Sequence, residues 1–463
     1  MSDDSELWEL PEGWAWKRVR EEFDSWGGMT PQTSESRFWE GSIPWVSSKD
    51  IKADRVLSSC ELITEEALRE TRLRMCPVGS VLVVVRSGVL AHSIPVAITE
   101  REVTINQDLK AFYSKTQPLN AWLKLAFQAR ERAILDAHRK DGTTVQSLNF
   151  EALRDLEIAL PPPEEAERIL ATLDPMLTRV AEERTRLERV KKNAARTRRS
   201  VLAAAFRGEL TKAWRGASDG GGSDGENVEE GKRFPVPKGW AWSTIGTSFP
   251  VHVGATPPRK EPTYWQGSIP WVSSGEVSFC RIKSTRETIT TSGLDSSSTR
   301  LNPIGSVLLG MIGEGRTRGQ AAILDIEAAN NQNCAAIWVS ATKTPPEYVY
   351  FWLVHQYQRT RDDGAGNNQQ ALNKSSVQAI PIPLPPLDEQ REIVRIVDRW
   401  FAVLDDVERR VDRGLVACDR LRESLIQKAF RGELLPRAAT KQPATKPAAK
   451  AAQLTLPGLS DET

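Results

Sequence analysis

Two sets of small, basic and amide side chains are the places in this 463-residue chain where recognition chemistry can occur. In the first half, Ser47, Ser48 and Lys49 follow a tryptophan-containing run, Arg86 and Ser87 follow an apolar run, and a loop at 138–144 carries Arg139, Lys140, Thr143 and Thr144. In the second half the matching places hold Ser273 and Ser274, then Arg316, Thr317, Arg318 and Gln320, then Asn367, Asn368 and Gln369. Small residues let a backbone approach a phosphate. Arg pairs bidentately with a guanine edge, and Asn or Gln with an adenine edge. These side chains suit the reading of a DNA duplex, and the plain alternative is ordinary solvated loops. A further basic run, Arg179–Arg215, holds twelve Lys/Arg against four acidic residues. It has two readings, attraction to a DNA backbone and a docking face for an acidic partner.

Catalytic chemistry finds no comparable support. The chain has no GxxxxGK[ST] phosphate loop and no GxSxG elbow. Gly310–Gly319 is glycine-rich but lacks the spacing and setting of a dinucleotide site. The four histidines are isolated, without metal-ligand spacing, and none has a counterpart in the other half. No metal site and no catalytic residue is expected. Net charge is +1, so no surface is announced by charge alone. Five cysteines without a CxxC pair and an acidic start without a cationic leader predict a reducing cytoplasm. The longest apolar run, around Val78–Val85, suits a buried strand and is too short to span a bilayer.

The elements that position these loops occur twice. GSIPWVSS stands at 41–48 and again at 267–274; PEGWAW (11–16) returns as PKGWAW (237–242), and PVGSVL (77–82) as PIGSVL (303–308). Asn106-Gln107 matches Asn331-Gln332, Leu148-Asn149 matches Leu372-Asn373, and AFRGEL stands at both 205–210 and 429–434. A period this long is a duplicated domain and not a solenoid. The repeated tryptophans, such as Trp45 and Trp271, read as two copies of one core. Shared scaffold with unlike polar loops predicts two domains that read two different short sequences.

Each half passes a proline gate (LPPPEE at 160–165, LPPLDE at 384–389) into a long helix. In the first helix, Ile169, Leu173, Met176, Val180, Leu187, Val190, Ala194 and Val201 follow spacings of four and three, with Glu183 and Thr197 as polar gaps. In the second, Ile393, Val397, Trp400, Leu404, Val407, Val411, Cys418, Leu421 and Leu425 keep the same register. That periodicity predicts a coiled-coil seam. Leu173, Val180, Leu187, Val190 and Phe206, with Val397, Leu404, Val411, Leu425 and Phe430, are the expected spacer and partner-binding positions. Asp174-Pro175 offers an N-cap and first-turn proline that would split off a short helix. The Gly/Ser/Asp run at 216–232 spans only about 23 Å as a flexible chain. A parallel pairing would need a return path of the whole helix, so the helices are expected antiparallel. The predicted fold is α+β: two homologous mixed α/β target-recognition domains separated by two long antiparallel coiled-coil helices with pseudo-two-fold symmetry. The expected boundaries are a first recognition domain at 1–160, a first spacer at 161–215, a flexible linker at 216–233, a second recognition domain at 234–383, a second spacer at 384–435 and a disordered tail at 436–463.

Tandem halves that open with PEGWAW or PKGWAW, carry IPWVSS, pass an LPP gate into a heptad helix and close on AFRGEL resemble the specificity subunit of type I restriction–modification systems. The likeness covers nearly the whole chain, and GEGRTRGQAAIL with NNQNCAAI (313–324, 330–337) is similar to one kind of recognition domain in that family. The resemblance implies a non-catalytic subunit that reads a split asymmetric site in double-stranded DNA. It also implies two adenine methyltransferase subunits and ATP-dependent motor-nuclease subunits as partners. It places S-adenosylmethionine, ATP and Mg on those partners and no cofactor on this chain. The competing class is a stand-alone two-site DNA binder or coiled-coil adaptor without enzyme partners.

Overall fold

The computed structural model describes residues 8–140, 145–216, 234–313, 317–362 and 371–435. The chain divides into two compact units, one made of the residues up to Thr185 together with those from Leu415 onward, the other of Arg186–Gly414. Each unit therefore contains one recognition domain and a stretch of both long helices.

In the first unit the apolar run becomes the strand Val81–Val84, buried on both faces. Val81 and Val83 enter one core with Trp122, Phe112 and Phe127, while Leu82 and Val84 enter a second core with Val46, Ile105 and Leu109. A strand covered on both sides needs a continuous apolar sequence, which is why it reads VLVV and does not alternate. It lies at the centre of a five-stranded sheet in the order Asp24–Gly27, Leu109–Tyr113, Val81–Val84, Val96–Thr99, Arg55–Val56. A three-stranded sheet places Trp39–Val46 between Glu61–Ile63 and Thr104–Ile105. A third, two-stranded pair joins Ala15–Arg18 to Glu157–Leu160 and so closes the domain at its proline gate. The helix Gln117–Ala129 packs on the large sheet, and its Trp122 donates from Nε1 to the Ala159 carbonyl at 2.8 Å.

The second unit repeats these three sheets, while the short pair of Arg139–Lys140 with Ser147–Leu148 has no counterpart among its described residues. Its five-stranded sheet runs Val251–Val253, Cys334–Ile337, Val307–Gly310, Ala321–Leu324, Cys280–Ile282; its three-stranded sheet centres on Trp265–Val272; and Ala241–Thr244 pairs with Pro381–Leu384. Tyr348 takes the place of Trp122, donating from Oη to the Pro383 carbonyl at 2.6 Å. Even the irregularities recur. The bulge between Trp39 and Ile43 is matched between Trp265 and Ile269, with Glu40 and Gln266 at φ of 60° and 61°.

The two long helices, Pro163–Phe206 and Leu387–Phe430, are 44 residues each. The first passes through Pro175 without a break, so Asp174-Pro175 does not begin a new helix. Proline costs the ladder one N–H there, and the continuous packing of Leu173 and Val180 on either side carries the helix through. The helices are antiparallel. In the first unit Arg184 pairs with Asp419 at 3.1 Å; in the second Lys191 pairs with Asp412 at 2.7 Å and Arg198 with Asp405 and Glu408. Numbers rise by seven on one helix and fall by seven on the other, which only antiparallel pairing allows.

The seam differs from the predicted one. Leu173, Val180, Ala194 and Val201 are buried, as are Val397, Leu404 and Val411, with Leu187 and Leu425 half-buried. Val190 is 42% exposed, and Met176, Trp400 and Leu421 are likewise exposed. Val190 is thus a correction to the seam. On the first helix the ion-pairing residues 184, 191 and 198 lie four positions after the inward row of Val180, half-buried Leu187 and Ala194. Facing those charges to the partner helix rolls the second apolar row outward, leaving about one buried position per heptad.

The helix ends dock reciprocally. Ile426, Ala429 and Phe430, encoded in the second copy, complete the core of the first unit beside Trp14 and Trp122. Val201, Leu202, Ala205 and Phe206, encoded in the first copy, complete the core of the second beside Trp240, Tyr348 and Trp352. AFRGEL ends each helix with Gly208 or Gly432 at positive φ; a Cβ on Gly208 would fall 2.4 Å from Pro237, and one on Gly432 2.8 Å from Pro11. In the second unit the junction also holds a buried ion pair. Glu389, 2% exposed, accepts from Arg215, from Thr211 Oγ1 at 2.7 Å and from Trp240 Nε1 at 2.9 Å. Arg215 of the basic run is therefore a structural cation. The rest of the expected linker beyond Gly216 and the expected tail lie outside the described residues.

Candidate nucleic-acid interface

The predicted contacts of the first unit converge on one turn, Asn106-Gln107-Asp108. Asn106 N–H donates to the Val46 carbonyl at 2.9 Å, so the Ser47–Asp50 turn leaves the sheet beside it. The Asp108 carbonyl accepts from Val85 N–H at 2.8 Å and Arg86 N–H at 3.3 Å. Arg86 bridges to Ser147, and Ser147 pairs with Lys140, which brings the backbone of Arg139–Lys140 alongside. Arg86, Arg139 and Lys49 are exposed, and Arg139 donates to the Ala91 carbonyl at 3.4 Å. Ser87 Oγ accepts from Val89 N–H at 3.4 Å and caps the short turn that follows. Thr143 and Thr144 lie outside the described residues.

The second unit converges on the equivalent turn. Asn331 N–H donates to Val272 O at 3.0 Å, placing Ser273 beside it, and Met311 N–H donates to Asn333 O at 2.8 Å as the chain leaves the central strand. The Met311 carbonyl then accepts from Leu372 N–H at 2.9 Å, as Val85 accepts from Leu148 at 2.8 Å in the first unit. Of the long loop that follows, Thr317 and Gln320 are half-buried, and Gly310 N–H donates to the Gln320 carbonyl at 2.8 Å. Arg318 is only 8% exposed, set next to Gly319, which packs on Tyr357 and Thr360. In this conformation Arg318 does not offer its guanidinium to a groove. Arg316, Asn367, Asn368 and Gln369 lie outside the described residues.

Some repeated residues have structural duties that sequence spacing does not separate from recognition. Ser47 donates from Oγ and N–H to Asp50 Oδ2 at 2.8 and 2.9 Å, and Ser273 does the same to Glu276 Oε2 at the same distances. Burial disfavours the charged Asp50, but hydrogen bonds from Ser47 and Cys60 outweigh it and hold that carboxyl below its ordinary value. Ser48 and Ser274 are half-buried within these turns. The tryptophan of each IPWVSS donates from Nε1 to the carbonyl of residue 29 at 3.0 Å or residue 255 at 3.1 Å. Asn106 and Asn331 close their turns through Oδ1, accepting from Asp108 and Asn333 N–H. The same turn carries a polar pair that is not among the predicted contacts. Thr30 Oγ1 donates to Gln107 Oε1 at 2.5 Å, and Thr256 Oγ1 to Gln332 Oε1 at 2.5 Å. The recurrence of Asn-Gln at matching positions was its visible signal.

Among the described residues no cluster of His, Cys, Asp or Glu could hold a metal ion. Burial pushes the Cys76 and Cys334 thiols up to about 12, which leaves them inert. No helix of the described residues is long and apolar enough to cross a membrane.

A family profile described as the type I restriction modification DNA specificity domain matches residues 11–192 and again 237–412. The chain belongs to that family. It is 27% identical over 304 residues to the EcoDI specificity subunit of Escherichia coli, a match covering 63% of this chain and 66% of that protein. It is 22% identical over 434 residues to the MjaIX specificity subunit of Methanocaldococcus jannaschii, covering 93% of this chain and 96% of that one. Its fold matches a solved chain from a structure titled for complex assembly and conformational transition of the type I R-M system, with a TM-score of 0.65 at 18% identity, over 92% of this chain and 100% of that one. The two profile matches fall on the two copies read from the sequence, and DNA recognition as a specificity subunit follows from the family.

Proposed function

We propose that this chain is the non-catalytic subunit that reads a bipartite, asymmetric site in double-stranded DNA, one half-site per recognition domain. It recruits two adenine methyltransferase subunits and, for cleavage, motor-nuclease subunits. The observation that carries this reading is the pairing of a twice-built scaffold with unlike residues at one place: after the central strand the first unit continues with Val85-Arg86-Ser87 and the second with Met311-Ile312-Gly313. Identical recognition surfaces would read a repeat; unlike ones read two sequences. The exposed apolar row of Met176 and Leu421 in the first unit, and of Val190 and Trp400 in the second, suits protein partners on the spacer helices. On this reading S-adenosylmethionine, ATP and Mg belong to those partners, this chain carries no cofactor, and the assembly works in the cytoplasm.

The test is a methylome of cells that express this subunit with its methyltransferase. The expected result is methylated adenine in two unlike half-sites separated by a fixed gap. A single continuous motif, or a perfect palindrome, would overturn the proposal.

A further inference from the structure

We propose that Gln107 and Gln332 are a duplicated contact to the DNA phosphate backbone, identical in the two domains and set beside loops that are not. This deepens the DNA-reading proposal and rests on it. Four observations converge. The glutamines are exposed, and each is held by a half-buried threonine through the same bond, Thr Oγ1 to Gln Oε1 at 2.5 Å. With Oε1 held in this way, Nε2 is the amide atom left over on each exposed side chain, and among the described residues nothing accepts from it. An oriented amide donor with its acceptor oxygen already engaged suits an anionic acceptor. It suits the two-bond pairing with adenine less well, because that pairing uses both amide atoms and the threonine already takes one of the two lone pairs of Oε1.

The threonines are themselves rigidly placed. Met29 N–H donates to Ile105 O at 3.1 Å and Ala255 N–H to Asn330 O at 3.0 Å, while the IPWVSS tryptophans hold the carbonyls of the same two residues. Gly28 and Gly254 make this close seat possible, since a Cβ on either would lie 1.9 Å from a strand carbonyl. The repeated elements thus build one support whose outer end is the glutamine. Fold stability does not require that end. A hydrogen bond between side chains at the surface adds little net stability, whereas Asn106 and Asn331 in the same turns are buried and close the backbone. Position completes the case. The residue after each glutamine accepts the backbone N–H at which the unlike loop departs, Val85 and Arg86 in the first unit and Met311 in the second. Contacts that fix register without carrying sequence information belong beside those that read bases, and they can be the same in both domains.

The experiment measures binding of the full-length chain, by fluorescence anisotropy, to a cognate duplex and to a scrambled duplex of equal length. The variants are Gln107→Ala, Gln332→Ala, Gln107→Glu and Thr30→Val, with melting temperature as the folding control. Each Ala variant is expected to weaken both duplexes about tenfold, the size of one hydrogen bond to a charged acceptor. The ratio between duplexes should stay constant. Gln107→Glu should weaken binding more, by repulsion, and Thr30→Val should fall between wild type and Gln107→Ala. The salt dependence should keep its slope, because a neutral amide displaces no counterion. Unchanged affinity in the folded Ala and Glu variants, or a loss confined to the cognate duplex, would overturn the inference while leaving DNA reading intact. A wild-type chain that binds neither duplex would overturn both.

Discussion

Replacing Phe430 with Ala perturbs the second copy of the sequence but should damage the first recognition domain. Phe430 is 1% exposed, with its ring 5.5 Å from that of Trp8 and 6.1 Å from that of Trp122 in the first unit. A buried aromatic ring removes at least about 150 Å² from water, which at about 25 cal/mol/Å² is about 4 kcal/mol. That agrees with the range of about 3–5 kcal/mol for Phe→Ala in cores. Against a domain stability of about 5–15 kcal/mol, the loss is enough to leave the first unit marginal. The assay is urea unfolding of the full chain, with hydrogen exchange read separately on peptides from the strands Val81–Val84 and Val307–Gly310. Exchange should rise in the first strand and stay near wild type in the second, and Phe206→Ala should produce the reverse. In binding, Phe430→Ala should weaken duplexes bearing the first half-site. If Phe430→Ala loosens the second strand and spares the first, the reciprocal docking of the helix ends is wrong.

Three further outcomes follow from the packing. Arg215→Ala leaves the buried Glu389 carboxylate without its cation and should destabilise the second unit by about 3–5 kcal/mol in urea unfolding, with Arg215→Met/Glu389→Leu milder than the single change. Arg198→Glu should lower the melting temperature by facing Asp405 and Glu408 with like charge, and Asp405→Arg with Glu408→Arg should restore it; failure of the rescue would refute the register. His355 is held below its ordinary value by burial and by Arg207, so the unfolded chain binds the proton more tightly. Its contribution is therefore complete above the ordinary value of about 6.5 and is lost as pH falls from there toward the lower folded value. His355→Gln should flatten that part of the stability-against-pH curve measured by urea unfolding.

Much of the architecture was legible because it was written twice. A duplicated IPWVSS, a duplicated proline gate and a duplicated heptad specify two domains and two long helices, and a linker too short to return along a whole helix implies their antiparallel sense. The details that escaped depend on what lies across a contact, which a one-dimensional pattern does not carry. Val190 obeys the heptad and still faces out, because charges at 184, 191 and 198 claim the partner-facing side. Pro175 resembles a helix start, yet packing on both sides carries the helix past it. Ser47 and Ser273 have the small polar character of a phosphate contact, but their hydroxyls are committed to Asp50 and Glu276, an acid pair whose chain lengths differ and so concealed the shared role. Arg318 carries the right chemistry and is buried. Thr30 and Gln107 are 77 residues apart, and nothing in their spacing couples them.

The exchange of helix ends has a consequence for how such a molecule can arise and be divided. A cut at the boundary between the sequence copies would give two halves, each with a recognition domain whose core lacks its phenylalanine and each with a helix end that has lost its socket. Neither half is self-sufficient, but two copies of either one are complementary: each would insert its helix end into the other, closing a two-fold homodimer with isologous contacts. On the proposed function, such a homodimer would read the same half-site twice and so recognise a palindrome. Carrying both copies in one chain keeps that packing while letting the two recognition loops differ, which on the proposed function ties asymmetry of the target to covalent linkage.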